Sequence, residues 1–170
     1  MYNTFNIMNK FADINKIYWE NVPAKSIIGR NTFPGEELFE RLKEGATVLD
    51  LGCGTGEMSE FLSGQRFNVT GIDINAKAIS LNGYRETKVN YVQGDITRHL
   101  PLNDASIDAI VSSFVLVNIL PRVARQNLIS ELKRVLRPNG FAWVNEALIS
   151  ESYKKDMSYP NLMRKKIMTF

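Results

Sequence analysis

Three aspartates stand where three apolar runs end: Asp50 in Thr47–Leu51 (TVLDL), Asp73 in Phe67–Ile74 (FNVTGIDI), and Asp95 in Gly94-Asp95-Ile96 just after Lys88–Gln93 (KVNYVQ). The first run leads directly into Gly52-Cys53-Gly54-Thr55-Gly56. Glycine at every second position lets a backbone turn tightly and approach a ligand with no Cβ in the way. The spacing is G-x-G-x-G, not the G-x-G-x-x-G that cradles a pyrophosphate. Asp50 beside the loop would repel a phosphate and favour a cationic group. A carboxylate at the tip of the second strand, Asp73, can accept both hydroxyls of a ribose. Asp95 can take the exocyclic amine of an adenine while Ile96 covers the ring face. Each acid alone reads as a solvated strand end or a helix cap, and the glycines alone as a tight turn. Three acids at three consecutive strand tips beside one glycine loop mark a binding site.

The elements that must position these residues are legible in the hydrophobic pattern. Two further strand-like runs, Ile107–Phe114 and Gly140–Leu148, join the three above, and all five are nearly continuously apolar, as in parallel strands buried on both faces. Helical segments alternate with them. Glu57–Leu62 brings Met58, Phe61 and Leu62 to one side, Ala76–Leu81 is similar but short, and Arg122–Leu136 places Leu128, Leu132, Val135 and Leu136 on one face. Pro121 suits the first turn of that helix, and Pro138-Asn139-Gly140 stops it. Glu36–Lys43 predicts a helix before the first strand, and Met8–Trp19 a weaker one. Residues 94–106, with Pro101 inside, predict an irregular crossover. Strands alternating with helices give an α/β fold with a doubly wound, mainly parallel sheet.

Composition narrows the class. The 170 residues suffice for one domain. The net charge of +3 is unevenly placed: residues 1–150 carry 16 basic and 16 acidic side chains, and the excess sits on Lys154, Lys155, Arg164, Lys165 and Lys166. A neutral body with a basic tail argues against a nucleic-acid binder. The single cysteine, Cys53, excludes an internal disulfide framework and a cysteine-based zinc site. No run reaches the roughly 18 apolar residues of a membrane span, and no secretory signal is visible in Met1–Lys10. The expected location is cytoplasmic, with no metal.

The segments VLDLGCGTGEMSEFL, GIDIN, YVQGDIT and IDAIVSSFVLVNIL, followed by LKRVLRPNGFAWVNEA, resemble the ordered motifs of class I S-adenosylmethionine-dependent methyltransferases over about residues 36–148. SSFVLVNI and RVLRPNG are similar to the ubiquinone/menaquinone C-methyltransferases and related small-molecule enzymes. The resemblance implies S-adenosylmethionine as cofactor, leaving as S-adenosylhomocysteine. It implies that Gly52, Cys53, Gly54 and Gly56 line the methionine part, with Asp50 near its amino group. Asp73 would hold the ribose and Ile74 would pack on the adenine, whose edge and face fall to Asp95 and Ile96. Ser112, Ser113 and Phe114 would flank the methionine and the transferring methyl. Where amino-methylating DNA enzymes carry Asn/Asp-Pro-Pro-Tyr/Phe, this chain has Ser112-Ser113-Phe114-Val115, which argues against nucleic-acid methylation.

Other residues stay open between two readings. His99 is a base near an acceptor or a solvated loop residue. Asn118 orients an acceptor or caps the following helix. Glu146 is a substrate contact or a sheet-end residue facing water. Tyr18 and Trp19 close over the cofactor as a lid or are core of an N-terminal helix. Arg30 is a candidate partner for the cofactor's carboxylate. The expected organisation is an N-terminal helical cap over residues 1–35, a cofactor-binding core over 36–150 and a basic tail over 151–170. Three functions are weighed: a small-molecule methyltransferase, a cofactor-binding module that needs a partner chain or a missing segment, and a nicotinamide-dependent oxidoreductase, which the loop spacing and Asp50 disfavour. After Leu148 only 22 residues remain, too few for the helix and two strands that usually follow in such enzymes. The last two strands are therefore expected to be missing or atypical. The tail folds over the exposed edge of strand five, a second copy or partner chain pairs there, or the sequence is a piece of a longer chain.

Overall fold

The computed structural model describes residues 4–23, 33–84, 86–119, 122–146 and 165–169. In chain order the elements are α1 (Thr4–Asn21), α2 (Glu36–Phe39), β1 (Thr47–Leu51), α3 (Glu57–Gly64), β2 (Asn68–Asp73), α4 (Ala76–Asn82), β3 (Asn90–Gln93), β4 (Ile107–Ser113), a 3-10 turn (Leu116–Asn118), α5 (Arg122–Val135), β5 (Leu136–Asn145) and β6 (Lys165–Thr169). They form one six-stranded sheet in the order β3-β2-β1-β4-β5-β6. The first five strands run parallel, with Asp50 opposite Gly71 and Val111, and Asp73 opposite Gln93. The order reverses at β1, so the glycine loop and all three expected acids meet at the end of the sheet where such folds bind ligands.

Burial on both faces explains the apolar runs. On one face Leu49, Leu51, Ile72, Ile110, Ala142 and Val144 pack against Leu128, Leu132 and Val135 of α5. On the other, Val48, Val69, Ala109, Val111, Phe141 and Trp143 meet Leu38 of α2 and Leu62 of α3. Each fully buried aliphatic side chain contributes roughly 1.5–3 kcal/mol, so the i, i+4, i+7 row of α5 fixes that helix on the sheet. Trp143, wholly buried, still satisfies its indole N–H with Glu37 Oε1 at 3.2 Å.

The helix expected over Glu36–Lys43 is shorter, ending at Phe39. Beyond it the chain must turn through Gly45, at φ +79°, to enter β1. The crossover over residues 94–106 is irregular, as expected. It is anchored by Arg134, which donates to the carbonyls of Leu100 (3.0 Å) and Leu102 (2.8 Å) and to Asp104 (2.7 Å), while Glu131 accepts from the Leu100 N–H (2.8 Å). Pro138-Asn139-Gly140 turns the chain inside the start of β5: the register jumps from Ile107 opposite Leu136 to Ala109 opposite Phe141, and Asn139 adopts φ +68°. The edge of β5 is covered by β6, which pairs antiparallel from Phe141–Thr169 to Asn145–Lys165 and half-buries Ile167 against the second core cluster. Of the expected fates of that edge, the tail folding back is the one seen over Lys165–Thr169, and a single five-residue strand does the covering.

Candidate functional site at the strand tips

The loop after β1 is tied to β2 before any ligand arrives. The Gly52 and Cys53 N–H groups donate to the Ile72 carbonyl at 2.8 and 3.0 Å, and the Gly54 N–H to Asp73 Oδ2 at 2.9 Å. Gly52 and Gly56 sit at φ +71° and +80°, a region side chains avoid. Their missing Cβ atoms are also needed for a second reason. A Cβ on Gly52 would lie 2.5 Å from a Val115 methyl, and one on Gly56 would lie 2.3 Å from the Tyr91 hydroxyl. The space the glycines leave is thus filled in part by the protein's own side chains, where the sequence suggested only ligand.

The three acids differ in environment. Asp50 is 3% exposed, and its Oδ2 accepts from Ser59 Oγ at 2.6 Å. Burial, reinforced by the neighbouring Asp73, pushes its carboxyl from 3.8 up to about 7 despite the Ser59 bond. It lies under the loop, against Ser59 of α3. Asp73, at the tip of β2, accepts from Asn75 N–H (2.8 Å) and Gly54 N–H (2.9 Å). Burial raises its carboxyl too, with the Asn75, Gly54 and Ile74 N–H groups pulling back. Each of its oxygens keeps a further lone pair, so two vicinal hydroxyls can still be accommodated. Asp95 bonds Thr97 through Oδ1 and faces Lys16 Nζ (3.3 Å) and Arg98 Nε (3.4 Å) through Oδ2. Burial alone would raise its carboxyl, but the Thr97 and Lys16 contacts outweigh it and hold the carboxyl below the usual range. Ile74 and Ile96 are half-buried beside these acids, Ile96 packing on the α5-side core. The Cys53 thiol is buried, and burial together with Asp50 and Asp73 pushes it far above the usual range, so it is an inert small residue in the turn.

Across β1, the tip of β4 forms the other wall. Ser112 is 1% exposed, and its Oγ has no hydrogen-bond partner, as is true of Asn82 Oδ1 among the described residues. Buried hydroxyls left unpaired are rare. Ser113 Oγ accepts from Asn145 Nδ2 at 3.1 Å. Phe114 takes φ +57°, at a cost of roughly 1–2 kcal/mol for a bulky residue. Glu146 does not face water as a sheet-end residue would. It is fully buried and accepts the N–H groups of Val115, Leu116 and Val117; burial raises its carboxyl and those N–H groups lower it. Asn118 sends its amide back to the Phe114 carbonyl at 2.6 Å, across the 3-10 turn. His99 is exposed and sits 3.2 Å from Glu131 on α5, which fits the solvated-loop reading.

Helix α1 crosses these tips. Asn75 Nδ2 donates to the carbonyls of Trp19 (2.9 Å) and Val22 (3.0 Å), Lys16 reaches Asp95, and Asn15 Nδ2 donates to the Asn118 carbonyl. These contacts fall after β2, β3 and β4 in turn. Tyr18 is 57% exposed and packs edge-on against Trp19, their ring centres 5.1 Å apart; the helix is held by Asn15, Lys16 and its own carbonyls. Arg30 lies outside the described residues. The sequence reading missed Lys16, Asn75 and Asn82. Asn75 carried a usable signal, an asparagine before a helical run, and it does cap α4 by accepting from the Ala78 N–H at 3.0 Å. Asn82 donates to the Gly54 carbonyl at 2.9 Å, with no local signal to announce it. No helix among the described residues is long and apolar enough to cross a membrane.

Comparison with known proteins bears on the same stretch. The model of the methyltransferase domain family matches residues 49–144, from β1 to β5. A demethylmenaquinone methyltransferase of Beutenbergia cavernae is 39% identical over 98 residues, covering 58% of this chain and 39% of that protein. A malonyl-[acyl-carrier protein] O-methyltransferase of Pectobacterium atrosepticum is 34% identical over 124 residues, covering 69% and 47%. Among solved structures, an S-adenosylmethionine-dependent methyltransferase of Methanosarcina mazei superposes with a TM-score of 0.61 at 28% identity, covering 66% of this chain and 57% of that one. The chain therefore spans less than half the length of the two curated relatives.

Proposed function

The chain belongs to the class I S-adenosylmethionine-dependent methyltransferase-domain family, and from that premise we propose that it transfers a methyl group from S-adenosylmethionine to a small-molecule acceptor by in-line displacement. The observation that carries the reading is Asp73, half-committed to the Gly54 N–H beside the glycine loop, at the point where strand order reverses. That geometry suits a ribose next to the loop backbone. Gly52, Cys53, Gly54 and Gly56 hold the methionine part, and Asp50 supports them from below. Asp73 and Ile74 take the ribose and one adenine face, and Asp95 and Ile96 the adenine edge and other face. The unpaired Ser112 Oγ, with Ser113 and Phe114, borders the methionine on the opposite side of the loop. Residues 1–35 act as a helical cap, 36–150 as the binding core and 151–170 as a tail. Arg30 remains the candidate for the carboxylate, and Tyr18 for the outer rim of the cap.

Bound S-adenosylmethionine supplies a methyl carbon already activated by its sulfonium. The chain's own task is then to orient donor and acceptor and exclude water, worth up to roughly 7–11 kcal/mol in favourable cases. His99, beside Glu131, and Asn118, whose amide reaches the Phe114 carbonyl, remain the candidates for contact with the acceptor. A small acceptor is supported by the name of the demethylmenaquinone relative, while the other is named for a malonyl group on an acyl-carrier protein. The partial span of those relatives favours a second reading, a binding module that methylates only with a further segment or partner chain. Titration calorimetry with S-adenosylhomocysteine and, separately, NADH tests the cofactor. Binding of NADH alone would sink the assignment, and Asp73→Ala should weaken S-adenosylhomocysteine at least about tenfold, one decade being 1.4 kcal/mol. Turnover over a panel of phenols, amines and quinone precursors then separates enzyme from module.

A further inference from the structure

We propose that Asn145 and Glu146, at the end of β5, form a positioning clamp that sets the shape of the β4 tip for the methionine end of the cofactor. The inference rests on the methyltransferase reading above. Five successive residues are held by these two. Ser113 Oγ accepts from Asn145 Nδ2 at 3.1 Å, and the Phe114 N–H donates to the Asn145 carbonyl at 2.8 Å. Glu146 Oε1 then accepts from Val115 (3.1 Å) and Leu116 (2.8 Å), and Oε2 from Val117 (3.2 Å).

A carboxyl group on a residue only 1% exposed is costly to keep, and an apolar side chain of similar size is often no less stabilising. What Glu146 holds explains its presence. The clamped segment contains Phe114 at φ +57° and Val115, whose methyl fills the space over Gly52. Without the clamp, Phe114 would relax to negative φ and carry Val115 off the first glycine of the loop. Sheet order makes the consequence one-sided. The tips of β2 and β3, with Asp73 and Asp95, lie on one side of β1, and the clamped tip of β4 on the other. A ligand reaching both sides should feel the clamp, and one confined to the β2–β3 side should not.

S-Adenosylhomocysteine and adenosine are those two ligands. Glu146→Gln keeps the side-chain shape but turns an amide NH2 towards one backbone N–H. Calorimetric titration of the intact chain should show S-adenosylhomocysteine weakened about tenfold, one decade being 1.4 kcal/mol, with adenosine affinity changed less than twofold. A role in general stability would lower both affinities together, and that parallel loss, or an unchanged S-adenosylhomocysteine affinity, overturns the proposal. If Glu146→Gln does not fold, Asn145→Ala, which frees only Ser113, decides by the same comparison, with a loss of about threefold expected for S-adenosylhomocysteine alone. Failure of the unsubstituted chain to bind either ligand overturns the methyltransferase reading itself and the clamp with it.

Discussion

Replacing Asp50 by Asn should stabilise the protein and weaken its ligand, and the size of the first effect follows from burial. In the folded chain the Asp50 carboxyl titrates near 7, against 3.8 in the unfolded chain. Between those values the folded state holds the proton more tightly, so stability falls as pH rises through the window and levels off above about pH 8. At 1.36 kcal/mol per pH unit, the penalty is on the order of 1–2 kcal/mol at pH 5 and about 4 kcal/mol at pH 8. Asn carries no such penalty, and its Oδ1 can still accept from Ser59 Oγ, now at 2.6 Å from Asp50. Urea unfolding of parent and Asp50→Asn at pH 5, 6, 7 and 8 measures the difference directly. It should grow with pH, reaching about 4 kcal/mol at pH 8, and thermal unfolding of the same pair at pH 8 should show a rise in melting temperature of about 10 °C for a chain this size. Curves that run parallel from pH 5 to 8 would refute the claim that a buried charge is being forced beneath the loop. The same logic fixes the sign for binding. A cationic amino group nearby favours the ionised carboxylate, so affinity for S-adenosylhomocysteine should rise through pH 7 in the parent and lose that dependence in Asp50→Asn.

Three further outcomes are expected. Lys16→Ala removes the cation 3.3 Å from Asp95; it should raise S-adenosylhomocysteine affinity about twofold, a partly exposed ion pair being worth about 1 kcal/mol or less, and speed protease cleavage within α1. Gly56→Ala forces a side chain into φ +80° and against the Tyr91 hydroxyl; chemical denaturation should show a loss of at least about 1–2 kcal/mol, together with lost ligand binding. Glu131 is held near 2, well below 4.5, chiefly by the Arg134 hydrogen bond, so its stabilisation is present above pH 4.5 and lost as pH falls towards 2. Glu131→Gln should therefore cost roughly 2 kcal/mol near neutrality and approach the parent in acid, as read by melting temperature across that range.

The strands, the glycine loop and the three acids at the strand tips were legible because their signals are local. A parallel strand buried on both faces needs an unbroken apolar run, as in Thr47–Leu51, and α5 shows its buried face in the spacing of Leu128, Leu132 and Val135. Polar partnerships were not legible, because they are made across the fold. Glu146 meets Val115 from 31 residues away, Asn75 meets Trp19 from 56, and Asn15 meets Asn118 from 103. No spacing rule encodes those distances. So the sequence by itself determined which residues gather at the C-terminal ends of the strands, and the order in which the chain delivers them. Only the tertiary structure decided that Asp50 lies beneath the loop, that Lys16 already faces Asp95, and that Glu146 is a buried clamp. The physical reason is that a carboxylate's role depends on burial and on its hydrogen-bond donors, and both are set by neighbours that only folding brings together.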